Sequence, residues 1–90
     1  MKSTITREFR GRFSKLPKEV QERARDTYRL WLANPWHPSL HFKKVGSSPN
    51  EVWSVRIGIG YRALGVADAG GILWFWIGTH ASYDRLLKKL

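Results

Sequence analysis

The sequence predicts an α+β domain in which two N-terminal helices pack on a twisted antiparallel sheet of three or four strands, with a possible short C-terminal helix. Apolar residues recur at helical spacing in the first half of the chain and alternate, or run continuously, in the second half. The length of 90 residues suits a single domain spanning 1–90. Because 42% of the residues are hydrophobic and five are tryptophan, a disordered basic tail is excluded.

Two helices are expected in the first half. Thr6 suits the N-cap of a short helix at about 7–15, and Pro17 suits the first turn of a second helix. That helix should end at Asn34, because the residue before Pro35 is driven out of the α conformation. The apolar stripe of the second helix consists of Val20, Ala24, Tyr28, Trp31 and Leu32.

The second half is expected to form strands. Residues 52–57 alternate, with Ser54 and Arg56 on the polar face, which is typical of a half-buried strand. Residues 72–77 are apolar on both faces and should form a central strand. Ser3 to Ile5 are too few to predict a strand. The other expected elements are strands at 40–45 and 61–66, a turn at 46–50 and a short helix at 84–90.

Two features of these strands leave alternatives open. Arg62 shares a strand face with Leu64 and Val66, so it lies at a strand end, is redirected by a bulge, or is a buried and hydrogen-bonded guanidinium. Since residues 72–77 have no polar face, Trp74 or Trp76 belongs either to the core or to a groove that a partner fills.

The net charge of +9 predicts an anionic partner: nucleic acid, the ribosome, an acidic protein or an anionic membrane surface. Residues 1–45 hold eleven Lys and Arg against four Asp and Glu, so most of the net charge lies in the first half of the chain. The chain has no cysteine, which excludes disulfides and thiolate chemistry and fits the reducing cytoplasm. No signal peptide is expected at the N-terminus, and the longest apolar run is too short to span a bilayer.

The residues that could carry chemistry are cationic and protic. No carboxylates cluster in the sequence, and Pro38 prevents His37 and His41 from sharing one helical face, so a metal site is not expected. Metal-free RNA cleavage needs a base, an acid and cations for the phosphorane charge. Each candidate also has a structural reading, as a solvated strand end, a core aromatic or a structural arginine. The candidates are Lys43, Lys44, Arg56, Arg62, His80 and Tyr83.

Several local patterns occur in a fixed order along nearly the whole chain. They are Leu16-Pro17 before a helix ending at Asn34-Pro35, LHFKKV at 40–45, VWSVRI at 52–57, Arg56 followed by Gly60-Tyr61-Arg62, and Gly78-Thr79-His80 followed by Tyr83. In this order they resemble the RelE/ParE superfamily of toxins from type II toxin–antitoxin systems, the RelE-like branch above all.

The resemblance implies a toxin that an antitoxin neutralises. Members of the RelE-like branch cut mRNA in the ribosomal A site without a metal or other cofactor, whereas those of the ParE-like branch inhibit DNA gyrase. Matched motif by motif, Arg56, Arg62, His80 and Tyr83 are the expected catalytic residues. Lys43 and Lys44, with Arg56, are expected to bind RNA phosphate.

The sequence therefore favours a ribosome-dependent, metal-free mRNA endoribonuclease in the cytoplasm. The alternatives are a gyrase inhibitor that uses Arg23, Arg25 and Arg29 of the second helix, and a non-toxic module that only binds antitoxin or nucleic acid. An acidic antitoxin is expected to lay an apolar segment over the sheet near Trp74 and Trp76, and no membrane partner is expected.

Overall fold

Three α-helices, a 3₁₀ turn and five strands follow one another in the part of the chain that the structure describes, residues 2–46 and 51–89. The structure is a computed structural model. The helices are α1 (Arg7–Ser14), α2 (Lys18–Ala33) and α3 (His80–Leu87), and the 3₁₀ turn is Pro38–Leu40. The strands are β1 (Lys2–Ile5), β2 (Lys43–Val45), β3 (Val52–Ile57), β4 (Tyr61–Asp68) and β5 (Gly71–Thr79).

The helical hairpin α1–α2 forms where the sequence predicts it. The Thr6 hydroxyl accepts a hydrogen bond from the Phe9 N–H at 3.1 Å, which confirms Thr6 as the N-cap of α1. The Gln21 side-chain amide donates to the carbonyls of Phe13 and Leu16, both at 3.1 Å, and so satisfies backbone groups at the end of α1. This contact ties α2 to the end of α1.

The sheet has the strand order β1-β5-β4-β3-β2, with β1 parallel to β5 and every other pair antiparallel. The predicted α+β arrangement is confirmed, but the sheet is mixed and contains one strand more than the sequence indicates. The additional strand is β1, in which Ser3 lies beside Ile72 and Ile5 beside Trp74. A segment of four residues carries no periodicity of its own, and its partner strand is some 70 residues away in sequence.

Two predicted elements begin at the wrong residue, and the strands expected at 61–66 and 72–77 extend to Tyr61–Asp68 and Gly71–Thr79. The strand expected at 40–45 begins only at Lys43, because Leu40 closes the 3₁₀ turn and His41 adopts a left-handed conformation with φ of 46°. The helix expected at 84–90 begins earlier, at His80, because the Thr79 hydroxyl caps it by accepting from the Ser82 N–H at 3.2 Å. The turn expected at 46–50 lies largely outside the described residues.

Apolar side chains cover both faces of the sheet. On the inner face, beneath α1 and α2, Trp31 packs edge-on against Phe42 and Trp74, with ring centroids 5.7 and 5.3 Å away. The opposite face, here called the α3 face, is covered by the third helix. Its buried cluster consists of Val52, Leu64, Trp76 and Tyr83.

A β-bulge divides β5 into two halves. Leu64 pairs with Trp76 and Gly65 pairs with Trp74, so Phe75 is an extra residue in β5. The extra residue reverses the alternation, and Trp74 therefore joins the inner face while Trp76 joins the α3 face. Without the bulge, residues two apart in a strand would share one face.

Within residues 2–46 and 51–89, no helix combines the length and apolar character needed to cross a bilayer. The same residues contain no group of three or more His, Asp or Glu placed to hold a metal ion.

Candidate anion-binding site on the α3 face

Two arginines lie directly opposite each other on the α3 face. Arg56 of β3 pairs with Arg62 of β4, and the next residue in this row is Gly78 of β5. Like charges in directly opposite positions destabilise a sheet. In the part of the chain that the structure describes, neither guanidinium lies within salt-bridge distance of a carboxylate. An anion between the two arginines would offset their repulsion.

The structure decides among the three alternatives that the sequence left open for Arg62. It is the second residue of β4 and partly buried, its Nη1 donates to the Tyr61 carbonyl at 2.8 Å, and the bulge lies farther along the strand. Its Cζ atom stands 5.9 Å from the ring centroid of Tyr83, a cation–π contact. Burial lowers the pKa of Arg62 and the charge of Arg56 lowers it further, while Tyr83 and Asp84 act in the opposite direction.

Arg56 reaches the open edge of β3. Its Nε donates to the Gly58 carbonyl at 3.0 Å, and its Nη1 lies 3.4 Å from Nε2 of His41. The sequence suggested His41 only as a poor zinc ligand, because spacing along the chain does not show that it lies beside β3. The structure therefore adds His41 to the edge of the candidate site.

Tyr83 links α3 to β3 of the sheet by a side-chain hydrogen bond. Its hydroxyl donates to Oγ of Ser54 at 3.2 Å, and the two residues are only 6% and 2% exposed. A phenol engaged in this way is poorly placed to exchange a proton with a substrate. The geometry therefore favours a positioning role for Tyr83, whose ring contacts the Arg62 guanidinium, and its catalytic role stays a prediction.

His80 opens α3 and remains half-exposed. Its Nδ1 lies 3.1 Å from Oδ2 of Asp84, one helical turn later, and its ring centroid is 5.9 Å from that of Tyr83. A carboxylate that accepts from Nδ1–H leaves Nε2 as the basic nitrogen. Asp84 is not recognisable as a partner of His80 from a helix expected at 84–90, whereas a helix that starts at His80 gives the two residues i, i+4 spacing.

The two lysines of β2 project to opposite faces. Lys43 lies opposite Ser54 and so shares the α3 face with both arginines, whereas Lys44 lies opposite Trp53 on the inner face. Both lysines are exposed. Only Lys43 can therefore belong to the candidate anion-binding site.

The two tryptophans expected at an antitoxin contact lie on opposite faces of the sheet. Trp74 is 4% exposed beneath the helices, and its indole N–H donates to the Ser3 hydroxyl at 3.1 Å, so little of its side chain is left for a partner. Trp76 is buried on the α3 face, with the Arg12 guanidinium carbon 5.8 Å from its ring centroid. An antitoxin contact at either tryptophan stays a prediction.

The α3 face thus combines cations that can hold phosphate with one imidazole that can exchange a proton. Guanidinium groups bind phosphate in two-pronged fashion, and an imidazole held by a carboxylate is a suitable base near neutral pH. The groups are brought together by β3, β4 and the first turn of α3.

Known structures share this fold. The archaeal RelE–RelB complex of Pyrococcus horikoshii OT3 is matched over 87% of this chain and 92% of that chain, with a TM-score of 0.68 and 15% identity. The RelB–RelE antitoxin–toxin complex of Methanococcus jannaschii is matched over 91% and 96%, with a TM-score of 0.71 and 18% identity. YafQ of E. coli is matched over 91% and 96%, with a TM-score of 0.72 and 12% identity.

Identities this low establish the fold alone, and no curated protein sequence matches the chain. Sequence evidence for a family comes from the ParE-like toxin domain, which matches residues 18–85. That match runs from the start of α2 into α3 and includes Arg56, Arg62 and His80. With three quarters of its residues matched, the chain belongs to the ParE-like toxin domain family and thereby to the RelE/ParE superfamily.

Proposed function

We propose that this protein is the toxin of a type II toxin–antitoxin module and cleaves mRNA on the ribosome. The observation that carries the proposal is the composition of the α3 face. There Arg56 and Arg62 lie opposite each other, neither forms a salt bridge with a carboxylate of the described residues, and α3 presents the His80–Asp84 pair. A gyrase inhibitor needs no such arrangement, since it acts by binding. The sequence resemblance to the RelE-like branch points in the same direction.

Each residue of the site has its own role in the proposed transesterification. Arg56 and Arg62, with Lys43, hold the scissile phosphate and stabilise the charge that develops on it. Nε2 of His80 takes the proton of the 2′-hydroxyl, O2′ bonds to phosphorus, and the bond to the 5′-oxygen breaks, with water protonating that oxygen. Tyr83 and Asp84 position Arg62 and His80 respectively. Guanidinium and imidazole groups supply these steps without a metal or other cofactor.

The proposed partners are an acidic antitoxin, the ribosome and mRNA, all met in the cytoplasm. Two of the structures that share the fold are complexes with an antitoxin, which supports an antitoxin here. The net charge of +9 favours a partner rich in carboxylates and also favours ribosomal RNA.

Cleavage is tested by adding the purified protein to a translation extract and mapping mRNA 5′ ends. We expect cuts at ribosome-bound codons, and we expect Arg62→Ala and His80→Asn each to reduce the cutting rate at least 100-fold, since one base or one charge stabiliser contributes about 10²–10⁴. Arg29→Ala is the matched control, because it removes one exposed positive charge from α2. Its cutting rate should equal that of the parent.

The result that overturns cleavage is the absence of A-site cuts, or cuts that persist when Arg62 and His80 are both replaced. A supercoiling assay then tests gyrase inhibition, a second candidate favoured by the ParE-like family match and by the exposed arginines of α2, Arg23, Arg25 and Arg29. Expression without growth arrest would indicate a module that only binds its antitoxin or nucleic acid.

A further inference from the structure

An exposed tryptophan lies at the edge of an aromatic cluster. Trp36 is 62% exposed, yet its ring centroid lies 5.2 Å from that of Phe42 and 6.0 Å from that of Trp53. Phe42 in turn stacks on Trp53, with ring centroids 4.8 Å apart. One side of the indole is therefore supported by the core, while much of the ring faces solvent.

The loop that carries Trp36 is held by hydrogen bonds. The Trp36 N–H donates to Oδ1 of Asn34 at 3.2 Å, and the His37 N–H donates to the Asn34 carbonyl at 3.1 Å. Pro35 and Pro38 lie on either side of Trp36 and His37 and restrict the backbone further. The indole is thus fixed before any ligand arrives, so little conformational entropy is lost on binding.

The surroundings of Trp36 favour a polyanion. No Asp or Glu occurs in residues 27–50, which include the whole loop and β2. Lys44 is exposed on the edge strand and shares the inner face with Trp53, against which Trp36 packs. Glu51, which immediately precedes β3, is the acid nearest to Trp53 along the chain.

A fixed aromatic face beside a lysine is the combination that holds single-stranded nucleic acid, because a base stacks on the ring while the cation meets the phosphate. We infer that Trp36 and Lys44 form a stacking site for one base of single-stranded RNA, separate from the anion-binding site on the α3 face. That the RNA is the cleaved mRNA rests on the proposed function. The stacking site itself rests on the aromatic and charge geometry alone.

One RNA chain can reach both sites. Lys43 and Lys44 are adjacent on the edge strand and project to opposite faces. Strands lie ~4.8 Å apart, so β2 is roughly 10 Å from β4, and Arg62 lies two residues along β4 from Leu64, which is in line with Lys43. An RNA that crosses the edge at β2 would place one phosphate near Arg62 and stack a base farther along the same chain on Trp36.

The test compares a short oligouridine with an abasic oligomer of equal length and charge, with binding measured by fluorescence anisotropy. The parent should bind oligouridine about tenfold more tightly, within the range found for one stacked base. Trp36→Ala should abolish that preference, and Trp36→Phe should retain most of it. Leu32→Ala is the control, since Leu32 is also a large exposed apolar residue, at 47%, but has no aromatic face.

Equal binding of the two oligomers by the parent, or an unchanged preference in Trp36→Ala, overturns the stacking site. Because the preference is a ratio between ligands of equal charge, a general loss of affinity in a destabilised variant does not imitate it, and Trp36→Phe checks the site in a variant that keeps the core contact. If the preference is present but the translation extract shows no cleavage, the stacking site stands and the proposed function fails.

Discussion

At the scale of single residues, hydrogen-bond partners separate positioning groups from reactive ones. Tyr83 and His80 both come from the first turn of α3, yet the phenol is buried on Ser54 while the imidazole is half-exposed and held by Asp84. Residue type alone ranks the two as equal candidates for proton transfer. Burial favours a positioning role for the phenol and a proton-transfer role for the imidazole, and both roles remain proposals.

Replacing Tyr83 with Phe should cost stability while leaving the reactive groups in place. The change removes the Tyr83 hydroxyl that donates to the buried Ser54 hydroxyl, so we expect a loss of about 1–2 kcal/mol in the free energy of unfolding, measured with urea. The aromatic support beneath Arg62 remains, so the cutting rate in a translation extract should fall less than tenfold.

A double-mutant cycle isolates this hydrogen bond. Tyr83→Phe combined with Ser54→Ala should be no less stable than Tyr83→Phe alone, because neither polar group is then left unpaired. If the losses in the free energy of unfolding of the two single variants add up exactly in the double variant, the hydrogen bond between Tyr83 and Ser54 does not contribute to stability. A cutting rate reduced as far as that of His80→Asn would instead return Tyr83 to the catalytic residues.

The opposition of Arg56 and Arg62 predicts stabilisation by anions. Burial and the neighbouring charge lower the pKa of Arg62, so its charged form is disfavoured in the folded state and a bound anion should relieve that cost. We expect inorganic phosphate to raise the Tm of the parent by several degrees more than that of Arg62→Ala. Phosphate also stabilises proteins generally, and Arg29→Ala, which should show the full rise, controls for that effect.

At the scale of secondary-structure elements, the bulge in β5 decides what each half of the strand contacts. It places Trp74 on the inner face and Trp76 on the α3 face. Gly65 permits this, because a Cβ built there would overlap Cγ2 of Ile72 and lie 2.8 Å from Cε3 of Trp74. The bulge and the glycine opposite it therefore act as one unit.

Gly65→Ala should destabilise the sheet. The added methyl group would overlap two core side chains, and overpacking of this kind costs about 1–3 kcal/mol in urea unfolding. Gly11→Ala is the matched substitution, because a Cβ at that position in α1 meets nothing within 4 Å. It should raise stability by about 0.5–1 kcal/mol, since alanine favours the helix. Similar effects at both positions would refute the role given to Gly65.

At the scale of the whole molecule, charge and chemistry lie on different surfaces. Residues 1–45, which include α1 and α2, carry most of the net charge, whereas the cations opposed across the sheet come from β3 and β4. The helices can attract an acidic antitoxin or ribosomal RNA at long range, because charge distant from a site speeds association without touching the ligand. The candidate site needs only the few cations of the α3 face.

This division predicts how RNA binding responds to salt. For single-stranded RNA the slope of log affinity against log salt is about −0.7 for each phosphate neutralised. Lys43→Ala and Arg56→Ala should each make the slope shallower by about 0.7, measured by oligonucleotide titration from low to high salt. Arg29→Ala should leave it unchanged. An effect of Arg29→Ala equal to the other two would indicate diffuse attraction to the helices rather than a site.

The sequence by itself determined the α+β class, the helices α1 and α2, the bounds of β3 and the superfamily. These follow from local signals: the Thr6 cap, the proline after Asn34 and strict alternation along a half-buried strand. It also supplied the cationic and protic residues from which the candidate site is drawn. Their roles on RNA remain predictions.

Tertiary structure alone decided how those residues are grouped. The strand β1 exists because β5 lies beside it, and the bulge at Phe75 separates two tryptophans that alternation would keep together. His41 meets Arg56 only because the chain returns to the edge of β3 after fifteen residues. Periodicity records which face of an element is apolar, but pairing between distant segments depends on contacts that no local pattern encodes.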